Sequence, residues 1–277
     1  MSSEFEKFAS VLRVQVGEEG NENLRVLSYE PEKEVKGTLV LIPGFGSLPS
    51  AWDKLLLRMK DDYRIYIIES REKHTAELKK KPDLTFNRFA KDIAQIMDYL
   101  MLDEYFMVAS SMGAAFILRS LSMKLMKPTY TFLVGPIQKT EIPDWSWPFV
   151  YICYPIVWKL FIKPFAKFYI KYFYLDRTQK DQLKKYYGYF DSYDVKKIRK
   201  TLIKIRKFRI KEEELATVDA KCIMVGAEKD KAHEAEWTKR VYKAVKNSEY
   251  FDLETNVAAH SEPLVELIEK ILVRDKK

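Results

Sequence analysis

Apolar and polar residues alternate near the start of the chain, in "VLRVQV" (11–16) and "NLRVLSYEP" (23–31). The turn-rich "GEEGNE" lies between them, so the pair predicts an antiparallel hairpin. The pattern then changes. "GTLVLIPGFG", "YRIYIIES", "EYFMVAS", "TYTFLVGPI" and "AKCIMVGAEKD" are short, nearly continuous apolar runs. Runs of this kind belong to strands buried on both faces, as in parallel sheets. Helical patterns separate several of them. In "FNRFAKDIAQIMDYLM", Phe89, Ile93, Ile96, Met97 and Leu100 share one face, and Thr85 stands where an N-cap belongs. "GAAFILRSLSMKLM", "HEAEWTKRVYKAVKN" and "SEPLVELIEKILVRD" predict three more helices, and "SEYFDLETNVAAH" a last strand and loop. "REKHTAELKKKPDLT" reads as a Lys- and Pro-rich loop. Strands alternating with helices predict an α/β class protein with a mostly parallel, doubly wound sheet.

The alternation stops at 138 and resumes near 216. No repeat or low-complexity linker marks a separate unit, so 138–215 is expected to be a helical cap inserted late in the sheet, after about the sixth strand. Residues 1–137 and 216–277 form the core. The segment is also where the charge lies. The chain carries 48 Lys+Arg against 40 Asp+Glu, a net +8. Between Tyr151 and Lys211 there are 17 Lys/Arg and 4 Asp/Glu, so one segment supplies more than the whole excess. An anionic partner, either a membrane surface or an acidic substrate, is one expectation, and a solvated Lys-rich face is the other. No nucleic-acid-binding pattern is present. Two cysteines far apart, with no Cys/His cluster, exclude a disulfide framework or structural zinc site. The first residues show no secretory pattern, so a cytoplasmic location is expected, with peripheral attachment to a membrane as the alternative.

The switch from strand to helix at "ASSMG" (109–113) carries the candidate chemistry. A small-x-Ser-x-Gly sequence between a strand and a helix fits a tight turn that lifts a serine out at the sheet's carboxyl edge. Ser111 is the serine in phase with that turn, and Ser110 is its rival. Serine needs a base. Of His74, His233 and His260, only His260 lies in a small-residue loop between the last strand and last helix. Asp230, after the strand 220–226, is the candidate acid, with Glu228 as runner-up. The N–H groups of Met112 and of Phe45, in the glycine-bearing "PGFG" loop, could stabilise an oxyanion.

With these motifs the sequence resembles the α/β-hydrolase fold superfamily over nearly its whole length. The resemblance implies Ser111 as nucleophile, Asp230 as acid, His260 as base, and Phe45 and Met112 as main-chain donors. Two positions depart from common members: Pro43-Gly44 replaces His-Gly, and Ala109 replaces the first elbow glycine. The resemblance implies a capped serine esterase or lipase-like enzyme that needs no metal or organic cofactor. An acyl-thioesterase or acyltransferase is an alternative, as is a non-catalytic lipid- or ligand-binding protein on the same scaffold. In the cap, "WSWPFVYICYPIVWKLFIKPFAKFYIKYFYL" is dense in aromatics. Trp145, Trp147, Phe149 and Trp158 are expected to line an acyl pocket. Lys159, Lys163, Lys167 and Lys171 recur every four residues and would share one helical face. Pro148, Pro155 and Pro164 are expected to break the segment into short pieces. Either the lysines face water, or the segment lies on an anionic membrane.

Overall fold

The computed structural model describes residues 3–174, 180–229 and 235–275. Eight strands form one sheet: β1 (Ser10–Val16), β2 (Glu22–Tyr29), β3 (Gly37–Ile42), β4 (Tyr63–Ile68), β5 (Phe106–Ser110), β6 (Tyr130–Val134), β7 (Lys221–Gly226) and β8 (Ser248–Asp252). Their spatial order is β1-β2-β4-β3-β5-β6-β7-β8. The hairpin β1–β2 is antiparallel, β2 also runs antiparallel to β4, and every later pairing is parallel.

Helices cover both faces. On one side lie α1 (Asp53–Met59) and α11 (Glu262–Arg274). They pack Leu55, Leu56, Leu264 and Ile268 against Leu39, Leu41, Val108 and Val225. On the other lie α2 (Phe86–Leu100), α3 (Met112–Ser122) and α10 (Ala235–Ala244). Their Phe89, Ile93, Phe116 and Val241 meet Val40, Ile42, Met107 and Met224. Neighbouring residues of one strand thus feed opposite cores, which is why the strands read as unbroken apolar runs.

Between β6 and β7 the chain forms α4 (Trp147–Ile152), α5 (Pro155–Val157), α6 (Lys163–Tyr169), α7 (Lys180–Ser192), α8 (Val195–Ile205) and α9 (Glu212–Leu215). A wider turn at Trp158–Ile162 joins α5 to α6, and a second, Ile170–Tyr174, extends the helical run beyond α6. Pro164 does not break this run. The N–H of Lys163 reaches back five residues to the Trp158 carbonyl. That wider turn just ahead of the ring accommodates the donor that proline lacks.

Two further expectations change. Thr85 sits at the α2 N-terminus, but its side chain makes no capping bond. Its carbonyl accepts the Arg88 N–H, while its own N–H donates to the Asp83 carboxylate. The stretch 71–85 is the expected loop, with His74 and Lys79 to Lys81 exposed, but its first three residues are not solvated. Arg71, Glu72 and Lys73 are buried. The Arg71 guanidinium pairs with Glu22, 2.7 Å away, and with Asp92, which Arg88 also contacts. A planar fork met by two carboxylates can be buried without orphaned donors.

Candidate active site

A single residue, Ser111, turns β5 into α3, with φ 51° and ψ −120°. A side chain held in so sparsely populated a region costs about 1–3 kcal/mol, and such strain clusters at functional sites. Its N–H donates to the Val134 carbonyl at 2.8 Å, and its carbonyl accepts from Ala115 at 3.1 Å. The small neighbours have separate reasons. A Cβ on Gly113 would stand 2.6 Å from the Ile42 carbonyl oxygen and 2.8 Å from that of Pro43. Nothing larger than glycine lets α3 start so close to the end of β3. Ala109, by contrast, pairs with Ile42 and Leu133 across the ladder and is buried with them in the core. A methyl group is accommodated there, so the departure from glycine is a packing choice. Ser110 is still within β5, and its hydroxyl lies beside Gly44.

The loop after β3 faces this turn. The Gly44 carbonyl accepts the Ser47 N–H at 3.0 Å and the Lys73 ammonium at 2.8 Å. The Glu72 carboxylate accepts the Gly46 N–H at 3.2 Å and pairs with Lys73 at 2.9 Å. A buried ion pair therefore fixes the loop carrying Phe45. Gly46 has φ 67°, and a Cβ there would stand 3.1 Å from the Tyr193 ring. Across the turn, Met112 opens α3, where the first N–H groups have no partner within the helix and partial positive charge collects.

His260 ends a short turn, Ala258–His260, before α11. Its ring packs against Trp52, with centroids 4.3 Å apart. Its Nδ1 lies 2.8 Å from the Asn256 carbonyl oxygen. A carbonyl oxygen only accepts, so Nδ1 carries the proton in this contact and Nε2 is the basic nitrogen. Asp230 lies outside the described residues, as does His233. Glu228, the runner-up acid, is exposed and pairs with Lys239 at 2.6 Å, and it accepts the Tyr250 hydroxyl. The Lys239 hydrogen bond holds its pKa below the ordinary value. His74 is exposed.

Ser111, His260 and Phe45 line one cavity of about 480 Å³. Its apolar wall comes from Ala166, Tyr169 and Ile170 of the helical run, and from Tyr186, Tyr189, Phe190 and Tyr193. Burial pushes the Tyr193 phenol up to about 12, with the nearby Glu72 carboxylate adding to it. Burial also raises Tyr189, which is hydrogen-bonded to Ser47. Both phenols are therefore neutral hydroxyls on an otherwise apolar surface.

No protein-family model matches the chain, and no curated protein matches it either. Solved structures do. An esterase from Thermogutta terrifontis superposes with TM-score 0.76 at 12% identity, covering 96% of this chain and 99% of that one. A bromoperoxidase from Bacillus anthracis gives 0.74 at 14%, covering 97% and 100%. An esterase from Rhodococcus sp. ECU1013 gives 0.74 at 14%, covering 95% and 98%. The chain has the α/β-hydrolase fold.

Within that α/β-hydrolase fold, four expected pocket residues lie elsewhere. Trp145 and Phe149 are largely exposed. Trp147 is buried beneath the Arg206 guanidinium, 4.9 Å from its ring. Trp158 packs edgewise on Phe190 and tilted against Tyr193, and does not itself line the cavity. The wall residues in and after α7 were present in the sequence as "YYGYFDSY" (186–193), where Tyr186, Tyr189, Phe190 and Tyr193 recur at helical spacing. Glu72 and Lys73 carried no such signal, because a charged pair in a polar stretch reads as solvated.

Proposed function

We propose that the chain is a serine hydrolase acting on carboxylic esters with an apolar acyl group. The observation that carries this reading is the strained Ser111, turned into the cavity that His260 also lines. Ser111 Oγ attacks the acyl carbonyl while His260 Nε2 takes its proton. The tetrahedral oxyanion accepts hydrogen bonds from the N–H groups of Phe45 and Met112. Collapse expels the alcohol, which receives the proton from His260. Water, activated by the same nitrogen, then hydrolyses the acyl-enzyme. Asp230 is assigned as the acid on its place in the sequence. The esterases among the structures of similar fold support the choice of reaction.

The segment 138–215 acts as a cap whose tyrosines and phenylalanine cover the acyl chain. Burial of hydrocarbon there stabilises the complex by roughly 25 cal/mol per Å². The test is a panel of p-nitrophenyl esters of increasing chain length, with wild type and Ser111→Ala. The variant should lose about 10³-fold or more in kcat on every chain length. If both proteins are equally slow throughout, hydrolysis fails as the function and a ligand-binding role takes its place.

A further inference from the structure

Outside the cavity, the helical segment after β6 exposes a run of large apolar side chains. From Trp145 to Tyr174 the chain contains no Asp or Glu. Phe149, Ile156, Leu160, Phe161 and Phe165 are each more than half exposed. Monomeric soluble proteins rarely leave so much contiguous apolar surface in water without a use. Two of the four lysines of the same run do not share this surface. Lys163 and Lys167 turn the other way, onto Asp191 of α7 at 2.6 and 2.9 Å. The outer face of the run is therefore largely aromatic and aliphatic, with Lys163 and Lys167 directed inward and Lys159 and Lys171 exposed.

Positive charge stands beside this face, on α8. That helix is tied to α4 by Arg199, which donates to the Tyr151 carbonyl at 2.7 and 3.0 Å and stacks 4.1 Å from the Tyr154 ring. Lys196, Lys200 and Lys204 recur every four residues on α8 and are exposed. Among the described residues none of the three has a carboxylate within ion-pair distance.

We propose that this face docks on an anionic lipid surface. The apolar run enters the boundary between headgroups and acyl chains, and the α8 lysines meet the lipid phosphates. An apolar stripe with a basic flank and no acidic residue is complementary to anionic lipid, and the two signals together give stable attachment. The segment lies on the membrane rather than crossing it. No single helix among the described residues is long and apolar enough to span, and Asp144–Ile152 bends by 102° from Pro155–Tyr172. The geometry also has a consequence for the cavity. Ala166, Tyr169 and Ile170 line it from the inner side of the same helical run. Lipid would then lie about one helix diameter, ~10 Å, from the cavity wall.

Docking needs no hydrolysis, so its test is separate from that of the reaction. The full chain is sedimented with vesicles of phosphatidylcholine containing roughly a quarter phosphatidylserine, with pure phosphatidylcholine as comparison. Wild type and Ser111→Ala should pellet equally with the anionic vesicles, and less as salt rises. Leu160→Ser/Phe161→Ser/Phe165→Ser should lower partition by about tenfold or more. Lys196→Glu/Lys200→Glu/Lys204→Glu should abolish the preference for anionic lipid. Both variants change exposed side chains and should keep the wild-type circular dichroism. Absence of sedimentation at low salt would overturn the proposal, as would partition untouched by the apolar substitutions. So would a dimer, without vesicle affinity, that those substitutions dissociate, since a second copy would then be the occupant.

Discussion

Gly113→Ala tests the tight turn from β5 into α3 most sharply. The added Cβ would sit 2.6 Å from the Ile42 oxygen, and ordinary contact begins near 3.4 Å. The obstacle is backbone, held in the ladder between β3 and β5, so it cannot rotate away. The start of α3 must move by about 0.8 Å, the difference between those distances. Overpacking of this kind costs about 1–3 kcal/mol. For a chain of this size that lowers Tm by about 2–12 °C. The Met112 N–H moves with the helix, and a shift of about an ångström at a reacting centre costs about 10²-fold in kcat/KM. Gly188→Ala is the control. It lies within α7, a Cβ there meets nothing within 4 Å, and the change should be neutral or stabilising by up to about 1 kcal/mol. Thermal unfolding by circular dichroism and p-nitrophenyl butyrate hydrolysis measure the two effects. If Gly113→Ala keeps wild-type Tm and kcat/KM, β3 and α3 separate freely and the turn does not hold the site.

Three other outcomes are expected. Lys73→Met leaves the buried Glu72 carboxylate uncompensated and should cost about 3–5 kcal/mol by chemical denaturation, with Glu72→Gln/Lys73→Met recovering part of it. Asp191 is held below its ordinary pKa by hydrogen bonds from Lys163 and then Lys167. Its stabilisation is present above the unfolded-state value of about 3.9 and is lost as pH falls through the lowered folded-state value. Because Asp191 is half exposed, Asp191→Asn should cost no more than about 1 kcal/mol at neutral pH, and the Tm difference from wild type should close in acid. Ala166→Phe narrows the cavity from the helical run and should shift preference toward short acyl chains by roughly tenfold, read as kcat/KM across the ester panel.

The strands were legible because burial on both faces leaves only apolar residues to choose from, as in Gly37–Ile42 and Phe106–Ser110. The position of the inserted segment, after β6, followed from where that pattern lapses. The tight turn at Ser111 was legible because apolar periodicity changes around one cluster of small residues. The buried Arg71, Glu72 and Lys73 were not, since their partners Glu22, Asp92 and Gly44 lie far away in sequence. The inserted segment misled for another reason. Its helical run is apolar on both sides, so residue type alone could not tell the cavity wall at Ala166 and Ile170 from the exposed Phe161 and Phe165. Pro164 looked like a breaker because nothing in the sequence announces the widened turn at Trp158–Ile162.

Ser111 as nucleophile is tested most directly by a fluorophosphonate probe with mass-spectrometric mapping of the modified residue. A single adduct should form on Ser111. It should persist in Ser110→Ala, vanish in Ser111→Ala, and form far more slowly in His260→Gln. An adduct on Ser110, or none on wild type that is folded by circular dichroism, would contradict the assignment.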